Sequence, residues 1–291
     1  MIHIKFWGTR GSITTPGPDT QLYGGNTPCV EVVGFNDPTP GAAIRSTQTR
    51  LFLDAGSGLA PLQSWLMAGN CGRGKGELNF LISDYHWDHI IGLPFFAPMF
   101  VPGNRVKFHG ESVARLQASI ERLFVSNYSP HNGVKNVAAR LSYHPLALDA
   151  PPATVAGFQV VATENAHTGK SVSYRLTYGQ HTVMYSTDHQ AGDPAVDARL
   201  VALARGVDLW ILSAQYTPAE RLTHSNWGHS SHLEAVALAL EAGVKTVVLF
   251  HHDPDHNDHQ LDEMHREAIA AAGNGLRVLM ARDGMVVELG R

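Results

Sequence analysis

The sequence predicts a layered α/β arrangement built on mixed β-sheets. At 291 residues, with 44% hydrophobic and 16% charged content, the chain can bury a sizeable core and does not have the composition of a disordered protein. Short β-branched or apolar runs with polar ends recur as strands, while helical periodicity is confined to four segments. Strands therefore outnumber helices without alternating strictly with them, which fits mixed sheets better than a doubly wound parallel sheet.

In chain order, the strands are Ile2–Phe6, Val30–Val33, Leu51–Leu53, Leu78–Ile82, Phe158–Ala162, Ser173–Thr177, Thr182–Tyr185, Asp208–Leu212, Thr246–Phe250 and Arg277–Met280. The helices are Ser112–Phe124, Val196–Ala204, His232–Ala242 and His259–Ala272. Gly243 and Gly273 stand where helix terminators belong, and Ser231 with Glu234 forms a capping-box pattern ahead of the third helix. Asn257 or Asp258 serves as the N-cap of the last.

No linker divides the chain cleanly, so residues 1–291 are expected to form a single domain, with the proline-rich stretch Pro145–Pro152 as the best midpoint. The segment of about 94–148 differs in character. It combines aromatic residues and a helix with Arg105, Lys107, Arg115, Arg122, Lys135 and Arg140, and reads either as an insertion bordering a site or as an ordinary one whose charges form a solvated helix face.

Lys plus Arg number 22 and Asp plus Glu 26, a net charge of −4, so the surface as a whole does not attract a polyanion, and long DNA or RNA is a poor fit. Cys29 and Cys71 form no CxxC, which gives neither a disulfide framework nor a thiolate zinc site, and both are read as reduced core residues. The N-terminal MIHIKFWGTRGS lacks the features of a secretory signal, so a cytoplasmic location is expected. The apolar stretch Ile90–Val101 is broken by Gly92, Pro94 and Pro98 and falls short of a membrane helix.

Histidine is the informative residue, with 17 copies, several of them grouped with aspartates. After the strand Leu78–Ile82, Asp84, His86, Asp88 and His89 place four ligand-type side chains within six residues. Imidazole and carboxylate suit Zn, Fe and Mn, whereas helix capping needs only one acceptor. His167, Asp188 and His251 follow later strands in similar settings. Taken singly, each is ordinarily a hydrogen-bonded turn residue; it is the combination that points to metal.

That combination resembles the metallo-β-lactamase-fold hydrolases, whose signature is HxHxDH followed by a distant His, an Asp ending a strand and a final His. Within them it is most similar to the phosphodiesterase branch that includes ribonuclease Z and small cyclic-nucleotide phosphodiesterases. Supporting stretches are Gly8-Thr9-Arg10-Gly11-Ser12, Tyr23-Gly24-Gly25-Asn26-Thr27, Leu53-Asp54-Ala55-Gly56, His86-Trp87-Asp88-His89, Trp227-Gly228-His229-Ser230 and Leu249-Phe250-His251-His252-Asp253-Pro254. The resemblance implies an αββα sandwich and two divalent ions, Zn or Mn/Fe. It implies His86, His167 and Asp188 as ligands of the first ion, and Asp88, His89, the bridging Asp188 and His251 as ligands of the second. Asp88 and His229 would carry catalytic roles, His229 in proton transfer.

The implied activity is cleavage of a small phosphodiester by a metal-bound hydroxide, with a small-molecule substrate, no membrane partner and a homodimer left open. Asp84 departs from the pattern by replacing the first His. As an oxygen ligand it lowers the charge of a two-ion centre by one unit and favours Mn or Fe over Zn; alternatively, it stands back from a half-empty site. A non-hydrolytic metal-binding, ligand-sensing or redox protein, or a lactone or thioester hydrolase, are the other readings. His224, His232, His252, Asp253, His256, Asp258 and His259 are assigned no ligand role, and Asp54 is read as a turn or supporting residue.

Overall fold

The computed structural model describes residues 1–35 and 48–290, the side chain of Gln48 excepted. In β1 (Ile2–Gly8), Ile2, Ile4 and Phe6 are fully buried while the residues between them are only partly covered, the two-residue period of a strand with two different faces. The strands assemble into two seven-stranded sheets, in which Leu209–Ser213 and Thr246–Phe250 are buried along their whole length.

The first sheet holds β1, β2 (Cys29–Phe35), β3 (Gln48–Leu53), β4 (Glu77–Leu81), β5 (Arg105–Gly110), β6 (Arg140–Pro145) and the last strand of the chain, β14 (Val286–Leu289). Its order is β14-β1-β2-β3-β4-β5-β6, antiparallel as far as β3 and parallel beyond it. The second holds β7 (Ala153–Val155), β8 (Phe158–Glu164), β9 (Val172–Tyr178), β10 (His181–Ser186), β11 (Leu209–Ser213), β12 (Thr246–Phe250) and β13 (Arg277–Met280). It runs antiparallel from β7 to β10 and parallel from β10 to β13. Both sheets are mixed, as the sequence predicts.

Alternate residues of one strand serve different cores. Leu209, Ile211, Val248 and Phe250 join Ile4, Phe6, Leu51 and Leu53 in the layer between the sheets, whereas Trp210, Leu212, Val247 and Leu249 face helices α4 (Pro194–Ala204), α6 (His232–Ala242) and α7 (Asp258–Ala272). On the first sheet, Phe52, Phe80, Val106 and Phe108 turn outward onto α1 (Leu59–Ala68) and α3 (Val113–Leu123). Three cores between four layers make an αββα sandwich.

The predicted caps are present. Ser231 and Glu234 close a capping box on α6, Gly243 ends that helix at φ 64°, and Asn257 rather than Asp258 caps α7. Four strands (β5, β6, β7 and β14) and three helices, α1, α2 (Trp87–Ile90) and α5 (Pro218–Thr223), are additions to the sequence prediction. The segment 94–148 is more than a helical, basic insertion, because it supplies β5 and β6 to the first sheet. Its Arg105 and Lys107 both pair with Glu77 at the surface, as a solvated charged face does. Cys29 and Cys71 are buried and unpaired with each other. Among the described residues, no helix is long and apolar enough to cross a membrane.

Candidate metal centre

The ligand-type residues stand just past the C-terminal ends of strands, where open α/β sheets gather their sites. Asp54 follows β3, Asp84 to His89 follow β4, His167 follows β8, Asp188 follows β10, Gln215 follows β11 and His251 follows β12. The turns are tight enough that Asp54, Asp188 and His251 sit at φ 59°, 51° and 62°, left-handed backbone that costs a non-glycine residue roughly 1–3 kcal/mol each. Such cost persists only where the surroundings over-determine it.

Two groups form around Asp188. On one side, Asp84, His86, His167 and Asp188 bring ligand atoms within 4.8 Å of one another; on the other, Asp88, His89 and His251 do the same, and His251 also joins Asp188 and His229. Asp188 reaches both groups: its Oδ2 lies 2.9 Å from His89 Nε2 and 3.7 Å from His167 Nε2, and its Oδ1 lies 3.0 Å from His251 Nε2.

The outer nitrogens of three imidazoles are already committed. His167 Nδ1 lies 2.8 Å from the Gly228 carbonyl, which can only accept, so this nitrogen carries the proton. His89 Nδ1 donates to Asp54 Oδ2 at 2.8 Å, and the same carboxylate accepts from Ser83 and from the Tyr185 hydroxyl. Gln215 donates its amide to Asp253, which leaves Oε1 to accept from His251 Nδ1 at 2.9 Å. As neutral rings, all three therefore aim an Nε2 lone pair at carboxylate oxygens: His89 at Asp188 and at Asp88 (3.3 Å), His251 at Asp188 and at Asp88 (3.1 Å), and His167 at Asp84 Oδ2 (3.5 Å).

Lone pairs facing lone pairs at these distances repel unless a positive charge lies between them. Burial works against charging His89, yet Asp188, Asp88 and Asp54 outweigh it and raise its pKa well above the ordinary imidazole value. Burial likewise opposes ionisation of Asp188 and Asp88, but the facing histidines hold both well below the usual carboxylate range. Asp84 Oδ2 and His89 Nε2 are buried without a hydrogen-bond partner. A divalent ion about 2.0–2.2 Å from each ligand holds neighbouring ligand atoms ~3–3.5 Å apart, close to the spacings observed. The donor set and its orphaned atoms thus fit cations.

His229 is nearly buried, with Nδ1 unpartnered and 4.0 Å from Asp188 Oδ1. Burial lowers its pKa to about 3, in spite of Asp188, so this ring is neutral. Gly228 and Gly11 allow the close packing: a Cβ at Gly228, where φ is 85°, would lie 2.2 Å from His167 Nδ1, and one at Gly11 would lie 2.4 Å from His251 Nδ1. Ser12 donates its backbone N–H to Asp88 Oδ2 at 2.8 Å.

The other grouped histidines are tied into the scaffold. His252 donates to the Ala281 carbonyl, His256 faces Glu220, His232 faces Glu267 and His224 stacks on Tyr216. Asp258 accepts from the backbone of Leu22 and Tyr23. Gln215 escaped the sequence reading, although its place two residues past β11 matches that of the other site residues and could have marked it.

The beta-lactamase superfamily domain (Lactamase_B_2) matches residues 49–252. Protein Rv1339 of Mycobacterium tuberculosis is 29% identical over 235 residues, 77% of each chain. The probable metallo-hydrolase YhfI of Bacillus subtilis is 27% identical, covering 87% of this chain and 93% of its own. The ribonuclease Z of Methanopyrus kandleri is 24% identical, over 87% and 92%. The crystal structure of YhfI, described as a metallo-beta-lactamase fold protein, superposes with a TM-score of 0.69 over 98% of both chains at 20% identity. A diphosphatase of the PhnP family gives 0.64 at 16% identity, over 100% and 98%. The match to residues 49–252 spans most of the chain and all the strands before the ligand-type residues, and the protein belongs to the beta-lactamase superfamily, with the metallo-β-lactamase fold.

Proposed function

We propose that the protein is a hydrolase dependent on two divalent cations that cleaves a small phosphodiester. The observation that carries this reading is the set of buried imidazole lone pairs facing carboxylates across Asp188. Asp84, His86, His167 and Asp188 would hold one ion, and Asp88, His89, His251 and Asp188 the other. Bound there, the cations would acidify water near neutral pH and withdraw charge from the phosphoryl group.

The protein's own groups do the rest. The committed Nδ1 protons of His89, His167 and His251 keep each ring in one tautomer, so no reorganisation is needed as charge develops. Asp88 is held in one orientation by the backbone N–H of Ser12. His229 is neutral, and can accept a proton on one nitrogen and release one from the other. Asp84–His89 precede Pro145–Pro152 while His167, Asp188 and His251 follow it, so the two halves of the chain act as one unit. A ribonuclease cleaves phosphodiester bonds and a diphosphatase P–O–P linkages, so ribonuclease Z and the PhnP-family diphosphatase support a phosphoryl substrate. A cavity of about 270 Å³ over the cluster and the net negative charge suit a small diester better than a long nucleic acid.

The test is turnover of bis(4-nitrophenyl) phosphate by protein loaded with Zn, Mn, Fe or Co. Activity should rise with pH to an apparent pKa near ~7. No turnover with any of the four ions between about pH 6 and 9 would reject the phosphodiesterase and favour a non-hydrolytic metal protein or a hydrolase of lactones or thioesters.

A further inference from the structure

Two tryptophans are left in water at the mouth of this cavity. Trp87 is 68% exposed and Trp227 is 61% exposed, and both line the same recess as His86, Asp88, His167 and His229. Indoles are among the side chains that gain most from burial, so two of them exposed at one concave site call for an explanation. Trp87 opens the short helix Trp87–Ile90, Trp227 lies in the bend that follows the helix Pro218–Thr223, and each is the chain neighbour of the chemistry. Trp87 lies between His86 and Asp88, and Trp227 precedes Gly228, whose carbonyl fixes His167. Trp227 is also held in place: its ring meets His224 edge-on at 4.7 Å, and His224 in turn stacks on Tyr216 at 5.0 Å. Its exposure is therefore built in, and the indole does not depend on a ligand for its position.

We infer that Trp87 and Trp227 form a stacking platform that selects phosphodiesters carrying a planar aromatic substituent, such as an aryl group or a nucleobase. This rests on the phosphodiester reading above. A phosphoryl group at the ligand cluster places its ester substituents at the rim, within the recess both indoles line. The recess is concave and about 270 Å³, near the lower end of small-ligand cavities, which accommodates one planar group beside the phosphate. The indoles would act as specificity determinants: stacking holds substrate and transition state alike, so it acts on KM more than on kcat.

The test uses two monoesters of equal charge, phenyl phosphate and methyl phosphate, titrated calorimetrically into Mn-loaded protein. Wild type should bind phenyl phosphate about tenfold more tightly, ~1.4 kcal/mol. The double variant Trp87→Ala/Trp227→Ala should lose that preference, to within about twofold, and Trp87→Phe/Trp227→Phe should keep most of it. Circular dichroism and metal content should match wild type in both. No preference in wild type, or a preference retained in the alanine variant, would overturn the inference. Parallel assays with bis(4-nitrophenyl) phosphate should show KM raised by the alanine pair with kcat little changed. A phenyl preference that vanishes in the alanine variant, in a protein that turns over no diester, would support the aromatic platform while rejecting the phosphodiesterase.

Discussion

On one side of Asp188, His89 and His251 are fully buried rings whose outer nitrogens are held by Asp54 and Gln215. On the other side His86 has a half-exposed ring with its Nδ1 turned to Asp84 at 2.8 Å, and Asp84 Oδ2 has no hydrogen-bond partner. The buried half has anchors behind both rings, from two different strand ends, while in the other half only His167 is anchored from behind, by the Gly228 carbonyl, and the His86 ring is half-exposed. Rigid, pre-oriented ligands lose little freedom when a cation binds, and outer hydrogen bonds raise ligand basicity. The two cation positions proposed above should therefore be unequal, the one beside Asp54 and Gln215 being the tighter.

The sharpest way to break that difference is Asp54→Asn. An amide in place of the carboxylate weakens the hold on His89 Nδ1–H, and the tighter position should lose affinity by about 10–100-fold, read by competition with a chromophoric chelator. The position at His86 and His167 should change far less. Equal loss at both, or none at either, would remove Asp54 from the explanation.

A smaller effect is expected at Asp84. Asp84→His exchanges a charged oxygen donor for a neutral nitrogen, so the exposed position should shift its preference from Mn or Fe toward Zn. The pH midpoint of turnover should fall, because cations facing less negative charge acidify water more strongly. Asp84→Asn should weaken the same position alone. If metal preference, stoichiometry and pH profile stay fixed in both variants, Asp84 has no part in binding.

The smallest effect lies away from the ligands. Burial raises the Asp283 carboxyl to about 6 despite hydrogen bonds from Asn26 and Thr9. The folded protein therefore keeps a proton that the unfolded chain releases near pH ~4, and this contribution to stability is present at low pH and lost as pH rises toward 6. Asp283→Asn should flatten that part of the profile relative to wild type and gain stability at neutral pH, measured by urea unfolding at each pH. An unchanged slope would contradict it.

What the sequence made legible follows the same division. Asp84, His86, Asp88 and His89 stood out because four ligand types follow one apolar strand, and Leu209, Ile211, Val248 and Phe250 because buried strands are nearly continuous apolar runs. The strand β5 was obscured by Arg105 and Lys107, which alternate with buried Val106 and Phe108 and pair with Glu77. Helix α1 was obscured by Pro61, which its first turn tolerates because no intrahelical N–H bond is lost there. The support for His167 is a backbone carbonyl and that for His251 a neutral amide. Neither carries a residue-type signature, and only the folded chain brings them to the rings.

Calorimetric titration of Mn into chelator-treated wild type tests the inequality of the two positions most directly. Two ions per chain are expected, the first bound at least about tenfold more tightly than the second, a gap of ~1.4 kcal/mol. Two ions of equal affinity, a single ion, or no binding would contradict it.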